Sequence, residues 1–165
     1  MKIFDLELHD DHYYIKRDHI VAKIPFGNRT FYAKFEQIRE PLTPLLIQQH
    51  LSREYTIATP LLKNGKTDYL VVEYKGEEHK RFLPLIKHLL KSQDVDSYQI
   101  YQGRDAKKIQ LFIEVEKMFV DEAESMLESI SSMLEQHISK SWKCLPSSSL
   151  PEEYNIVTLP FSHLS

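Results

Sequence analysis

Asp68-Tyr69-Leu70-Val71-Val72-Glu73-Tyr74-Lys75-Gly76 is the stretch on which the fold turns. Its middle is apolar and β-branched at consecutive positions, the mark of a strand buried on both faces. It then closes on an acid, an aromatic, a lysine and a glycine. The end of a buried strand is where a rigid sheet aims side chains, so Glu73 and Lys75 are the first candidates for chemistry.

Upstream, Tyr55 to Leu62 reads as a second apolar strand, and Asn64-Gly65 as the tight turn making it the antiparallel partner of Asp68–Tyr74. Thr43-Pro44 is an N-cap followed by proline in the first turn, opening a helix through Leu51. Before it, His12–Lys16 and His19–Ile24 read as a hairpin closed around Arg17-Asp18. Gly27-Asn28 is the next turn, and Thr30–Phe35 a third strand.

Downstream, Phe82, Leu85, Ile86, Leu89 and Leu90 mark one helical face, with Pro84 requiring the helix to start near Leu83 or to kink there. Tyr98–Tyr101 and Ile109–Val115 make a hairpin with a basic tip, Arg104 to Lys108. Asp121 and Glu124 read as an acidic capping box. Ala123, Met126, Leu127, Ile130, Leu134 and Ile138 then trace the stripe of a long amphipathic helix. A Ser- and Pro-containing loop, Cys144 to Pro151, leads to a last strand, Tyr154–Leu159. The pattern predicts an α+β fold, a mostly antiparallel sheet flanked by helices. It predicts one domain over 1–165, with 1–52 as a β-rich N-terminal extension plus helix and 53–165 as the core.

Composition narrows the function classes. A chain of 165 residues with 42% hydrophobic and 27% charged residues can bury one core without disulfides or metal. A net charge of -3 speaks against a bulk nucleic-acid binder but permits a local basic patch. The single cysteine, Cys144, excludes an internal disulfide framework and a multi-cysteine metal site. Met1-Lys2-Ile3-Phe4-Asp5 turns acidic where a signal peptide needs its apolar core, and no apolar run approaches a membrane span. The expectation is a soluble, cytoplasmic protein that does not engage membranes.

Glu73 and Lys75, two apart on a strand, share a face. That pairing resembles the metal-dependent nucleases of the PD-(D/E)xK type, in which the acid holds the ion and the lysine orients the attacking water. Such enzymes need a second acid near by. The preceding strand offers only Thr59-Pro60-Leu61-Leu62, which leaves Glu114 and Glu116 on the following hairpin. Without that acid, Glu73 and Lys75 are an ordinary ion pair at a strand end. His9-Asp10-Asp11-His12 has ligand residue types, but adjacent strand residues face opposite ways. His79 and His88 stand nine apart on a helix, which is no ligand spacing. Cys144 has no nucleophile motif around it, and no phosphate-cradling glycine loop exists, so no metal and no cofactor is expected. Arg104, Lys107 and Lys108 could meet a phosphate backbone with Lys75 near by, and Tyr98, Tyr101 and Phe112 could stack bases. Hairpin tips are also charged, and hairpin aromatics also core, for structural reasons alone.

Read in order, Asp68 to Phe161 resembles the catalytic module of the archaeo-eukaryotic primase (prim-pol) superfamily. The resemblance rests on Leu70-Val71-Val72-Glu73-Tyr74-Lys75-Gly76, on Tyr98 to Gly103 followed by Lys108 to Ile113, and on a long helix. Leu145-Pro146-Ser147-Ser148-Ser149-Leu150-Pro151 and Asn155-Ile156-Val157-Thr158-Leu159-Pro160-Phe161 complete it. The chain is also similar to a small bacterial family of conserved hypothetical proteins thought to share that fold. The departures fall on the chemistry: Lys75 stands at the second metal-binding acid, Lys108 near the histidine and Ser149 at the third acid. The resemblance therefore implies a catalytically inactive relative that binds nucleic acid or a nucleotide, or serves a protein partner. Lys75, Arg104, Lys107, Lys108 and Asn155 are the candidate contacts. The enzyme alternative is the divergent nuclease using Glu73 and Lys75.

Overall fold

The computed structural model describes residues 1–164 as an α+β protein with antiparallel sheets and three α-helices. It comprises two compact units: Met1–Lys63 with Ser149–Leu159, and Asn64–Ser148 with the chain from Pro160 on.

In the first unit four antiparallel strands run in the order Ile156–Thr158, Ile57–Pro60, Tyr13–Lys16, Phe35–Ile38. The hairpin expected around Arg17-Asp18 does not form. Tyr13, Tyr14 and Ile15 are all buried, so their strand takes an interior place between two partners. Ala22–Phe26, exposed along most of its length, pairs instead with Arg29–Ala33 around the expected turn at Gly27-Asn28. The helix Pro44–Leu51 begins as Thr43 predicts, its Oγ1 accepting from the Leu46 N–H at 3.3 Å. Its buried His50 ties the helix to two other segments. Nδ1 accepts from the Ile57 N–H at 3.0 Å, which leaves Nε2 to donate to the Leu159 carbonyl at 2.8 Å.

In the second unit five strands run in the order Trp142–Leu145, Lys66–Lys75, Lys108–Phe119, Tyr98–Gln102, Ser162–His163. Lys66–Lys75 lies in the interior, as a strand without polar alternation requires, but its partners differ from those expected. Asn64 and Gly65 turn with φ of 55° and 75°. The run Ile57–Pro60 is nevertheless taken by Tyr13–Lys16 and Ile156–Thr158 in the other sheet. Trp142–Leu145, expected partly as loop, fills the place beside Lys66–Lys75.

Leu70, Val72 and Tyr74 point into one core with Leu111, Phe82, Ile86, Leu127 and Leu134, the last four from the helices His79–Ser92 and Val120–Glu135. The first helix runs through Pro84, which sits on its exposed side, where the carbonyl deprived of a donor can meet water. Its start is capped from the strand. The Tyr74 ring stacks on Phe82 and its hydroxyl accepts from the Glu78 N–H at 2.9 Å. That hydroxyl would lie 2.8 Å from a Cβ at position 76, so Gly76 is the residue that lets it pass.

The second helix corrects two expectations. No side chain caps its N-terminus, and Glu124 instead accepts from the Ser148 N–H at 3.0 Å. Met126 is exposed, and Ser131 takes an inward place because its hydroxyl accepts the buried Trp142 indole N–H at 2.9 Å. Leu127 is buried in the core, so Leu127→Ala is expected to destabilise the protein by about 2–5 kcal/mol in urea unfolding. A change below about 0.5 kcal/mol would mean that this helix packs through another face.

Candidate functional site

Glu73 is a carboxylate in the otherwise apolar run Tyr69–Tyr74, and it is 8% exposed. A charge so placed needs partners, and the sheet register supplies them. On one side Glu73 stands opposite Gln110, on the other opposite Lys143. The Gln110 amide donates to Oε2 at 3.0 Å. The Lys108 ammonium is 3.4 Å from the same oxygen, and the Lys143 ammonium 3.7 Å from Oε1. One carboxylate is thus gripped by two lysines and an amide, each from a neighbouring strand.

Lys75 lies two residues further along the same face and stands directly opposite Lys108 in the register. Like charges across an antiparallel pair repel, and leaning toward Glu73 relieves Lys108 of part of that repulsion. Lys75 is exposed. Two ammonium groups therefore share one carboxylate and a third, on Lys75, stands two residues along, leaving the strand end with surplus positive charge. Gly103 contributes by being small: a Cβ there would lie 2.8 Å from Lys108 Cγ. The side chain that reaches Glu73 runs over that glycine.

The hairpin tip behaves differently. Asp105 closes it, accepting from the Lys107 N–H through Oδ1 and from the Lys108 N–H through its carbonyl. Lys107 is held by Glu77 at 2.6 Å, and the hydrogen bond to that carboxylate raises its ammonium above the usual lysine range. Arg104 is exposed on the tip. Asn155 does not join Glu73's sheet. It belongs to the first unit, where its amide donates to the carbonyls of Leu150 and Pro151, so its part is to shape a turn. The last strand of the resemblance, Ile156–Thr158, likewise pairs with Ile57–Pro60.

The second acid that a nuclease needs is not where the sequence offered it. Glu114 stands opposite Tyr69, four positions from the partner of Glu73, which is about 13 Å along a strand. Glu116 falls in the irregular stretch after it. Among the described residues no group of three or more His, Cys, Asp and Glu could hold a metal ion. Gln110 and Lys143 were not singled out from sequence. Gln110 had a signal, a lone amide inside the apolar run Ile109 to Ile113. Lys143 lay at the edge of a segment that reads as loop.

The family model of a domain of unknown function (DUF1882) matches residues 1–68, short of half the chain and ending before Glu73. No curated protein matches the chain.

Cys144, next to Lys143, packs partly against the helical core. Burial pushes its thiol up to about 11. The stability held in the protonated thiol is full below about pH 8.5, where a free thiol ionises, and is lost as pH rises through 11. Iodoacetamide should therefore label native Cys144 slowly at pH 8 and accelerate toward pH 11. Labelling at the rate of a free thiol at pH 8 would contradict this burial.

Proposed function

We propose that the Asn64–Ser148 unit belongs to a catalytically degenerate prim-pol-like domain that binds the phosphate of a nucleotide or single strand without turning it over. The observation that carries the reading is the grip of Lys108 and Lys143 on the single carboxylate Glu73, with Lys75 left over. Two-metal nucleotidyl transfer needs carboxylates arranged around the ions; by the resemblance Lys75 stands at the second acid and Ser149 at the third, and the remaining acid, Glu73, is held by two ammonium groups. Fixed positive charge at a strand end suits a phosphate as a stationary ligand. The nuclease alternative would have to work with Gln110 and Lys143 flanking its only acid, a charge pattern that repels a cation. Nothing favours it over simple anion binding.

The direct test is a titration of a fluorescent nucleoside triphosphate at low salt, read by anisotropy. Lys75→Ala, Lys108→Ala and Lys143→Ala should each weaken binding and each make it less sensitive to salt. Gly103→Ala should reproduce the Lys108→Ala loss by displacing that side chain. Affinity that stays weaker than millimolar, or that no substitution moves, would leave a protein partner as the better reading.

Labelled nucleotide should not be incorporated into primer or product with magnesium or manganese. Incorporation that Glu73→Ala abolishes would overturn the inactive reading.

A further inference from the structure

The first unit carries a feature that the Glu73 cluster does not use. Ala22–Phe26 and Arg29–Ala33 form a two-stranded ribbon that pairs with no other strand among the described residues. Its root is fastened by the Arg17 N–H to the Lys34 carbonyl and the Val21 N–H to the Ala33 carbonyl, both 2.8 Å. One face is anchored: Phe31 is buried, with its ring 4.7 Å from that of Tyr154. The opposite face holds Lys23 across from Tyr32 and Pro25 across from Thr30, all exposed, with Tyr32 at 53%.

Charge is concentrated on this segment. Residues 16–34 contain five Lys and Arg against one acid, Asp18, in a chain whose net charge is -3. Arg17 is already spent on Glu36 at 3.0 Å, and Asp18 on His19 at 3.0 Å. Lys16, Lys23, Arg29 and Lys34 make no ion pair among the described residues, although the His19 hydrogen bond, and after it the Lys34 charge, holds the Asp18 carboxyl low. Two of them lie over aromatic rings instead, Lys23 6.0 Å from the Tyr32 centroid and Arg29 4.6 Å from that of Phe31.

We infer that this ribbon is a binding arm for a single-stranded polynucleotide, with a base stacked on Tyr32 and phosphates met by Lys23 and Lys34 beside it. Cations without acids fit any polyanion. An open ring among them on a flat strand surface fits a chain that alternates phosphates with exposed π-faces. An acidic protein would use the lysines and leave the ring idle. A duplex hides its base faces from it. The inference is independent of the Glu73 cluster and lies within the stretch matched by DUF1882.

The experiment uses the full chain and a fluorescein-labelled oligonucleotide, as single-stranded DNA, as single-stranded RNA and as duplex. The wild type should bind either single strand more tightly than duplex. Tyr32→Ala should weaken strand binding about 5- to 100-fold with little change in salt slope, while Tyr32→Phe retains it. Lys23→Ala with Lys34→Ala should flatten that slope by about 1.4. All of these side chains are exposed, so melting temperatures should hold. Nucleoside triphosphate binding at Lys75 and Lys108 should be unchanged, which separates a failure of this arm from a failure of that site. Strand binding indifferent to Tyr32→Ala, or duplex binding equal to single-strand binding, would each overturn the inference.

Discussion

A carboxylate inside a doubly buried strand is the constraint around which the second unit is arranged. Lys66–Lys75 can be buried on both faces from Tyr69 to Tyr74 because every side chain there but Glu73 is apolar and strands pair on both sides. Glu73 breaks that rule, and the neighbouring strands carry the correction. Gln110 interrupts the apolar run of one neighbour at the position facing Glu73, and Lys143 occupies the matching place on the other. A one-residue slip in either register would turn these groups to the opposite face and leave the carboxylate against apolar side chains. The ion cluster therefore works as a register lock as much as a charged site.

The same arrangement shapes the chemistry open to the strand end. Surrounding one acid with ammonium groups neutralises it and leaves net positive charge next to solvent, where Lys75 stands. A metal-binding cluster needs the reverse balance, several carboxylates converging with few cations. The side chains around Glu73, more than the fold, are therefore the guide to activity here.

Local chemistry was readable from the residues and partner choice was not. Thr43-Pro44 starts its helix, Gly27-Asn28 and Asn64-Gly65 turn the chain, and Leu127, Ile130 and Leu134 face inward, because each signal acts within a few residues. Pairing depends on competition among all apolar strands at once. Ile57–Pro60 follows the same local pattern whether it pairs with Lys66–Lys75 or with Tyr13–Lys16. The Trp142–Leu145 strand is only four residues long and contains a lysine and a cysteine, so it carries little strand signal of its own. Its role comes from the bare edge of Lys66–Lys75 and from the indole bond to Ser131. The convergence of Lys108, Lys143 and Gln110 on Glu73 follows from that pairing and was hidden with it. The ribbon's aromatic face is hidden too, since the sequence pairs His19–Ile24 with His12–Lys16, whereas Ala22–Phe26 pairs with Arg29–Ala33 alone.

The most direct measurement is a ¹⁵N–¹H correlation spectrum recorded while a nucleoside triphosphate is titrated into the labelled protein. The account predicts saturable shifts in the backbone amides of Glu73 to Gly76, Lys108 to Gln110 and Lys143, and in the Gln110 side-chain amide, with the Ala22–Ala33 ribbon unmoved. Shifts that spare the Glu73 cluster, or the absence of any shift at millimolar nucleotide, would contradict it.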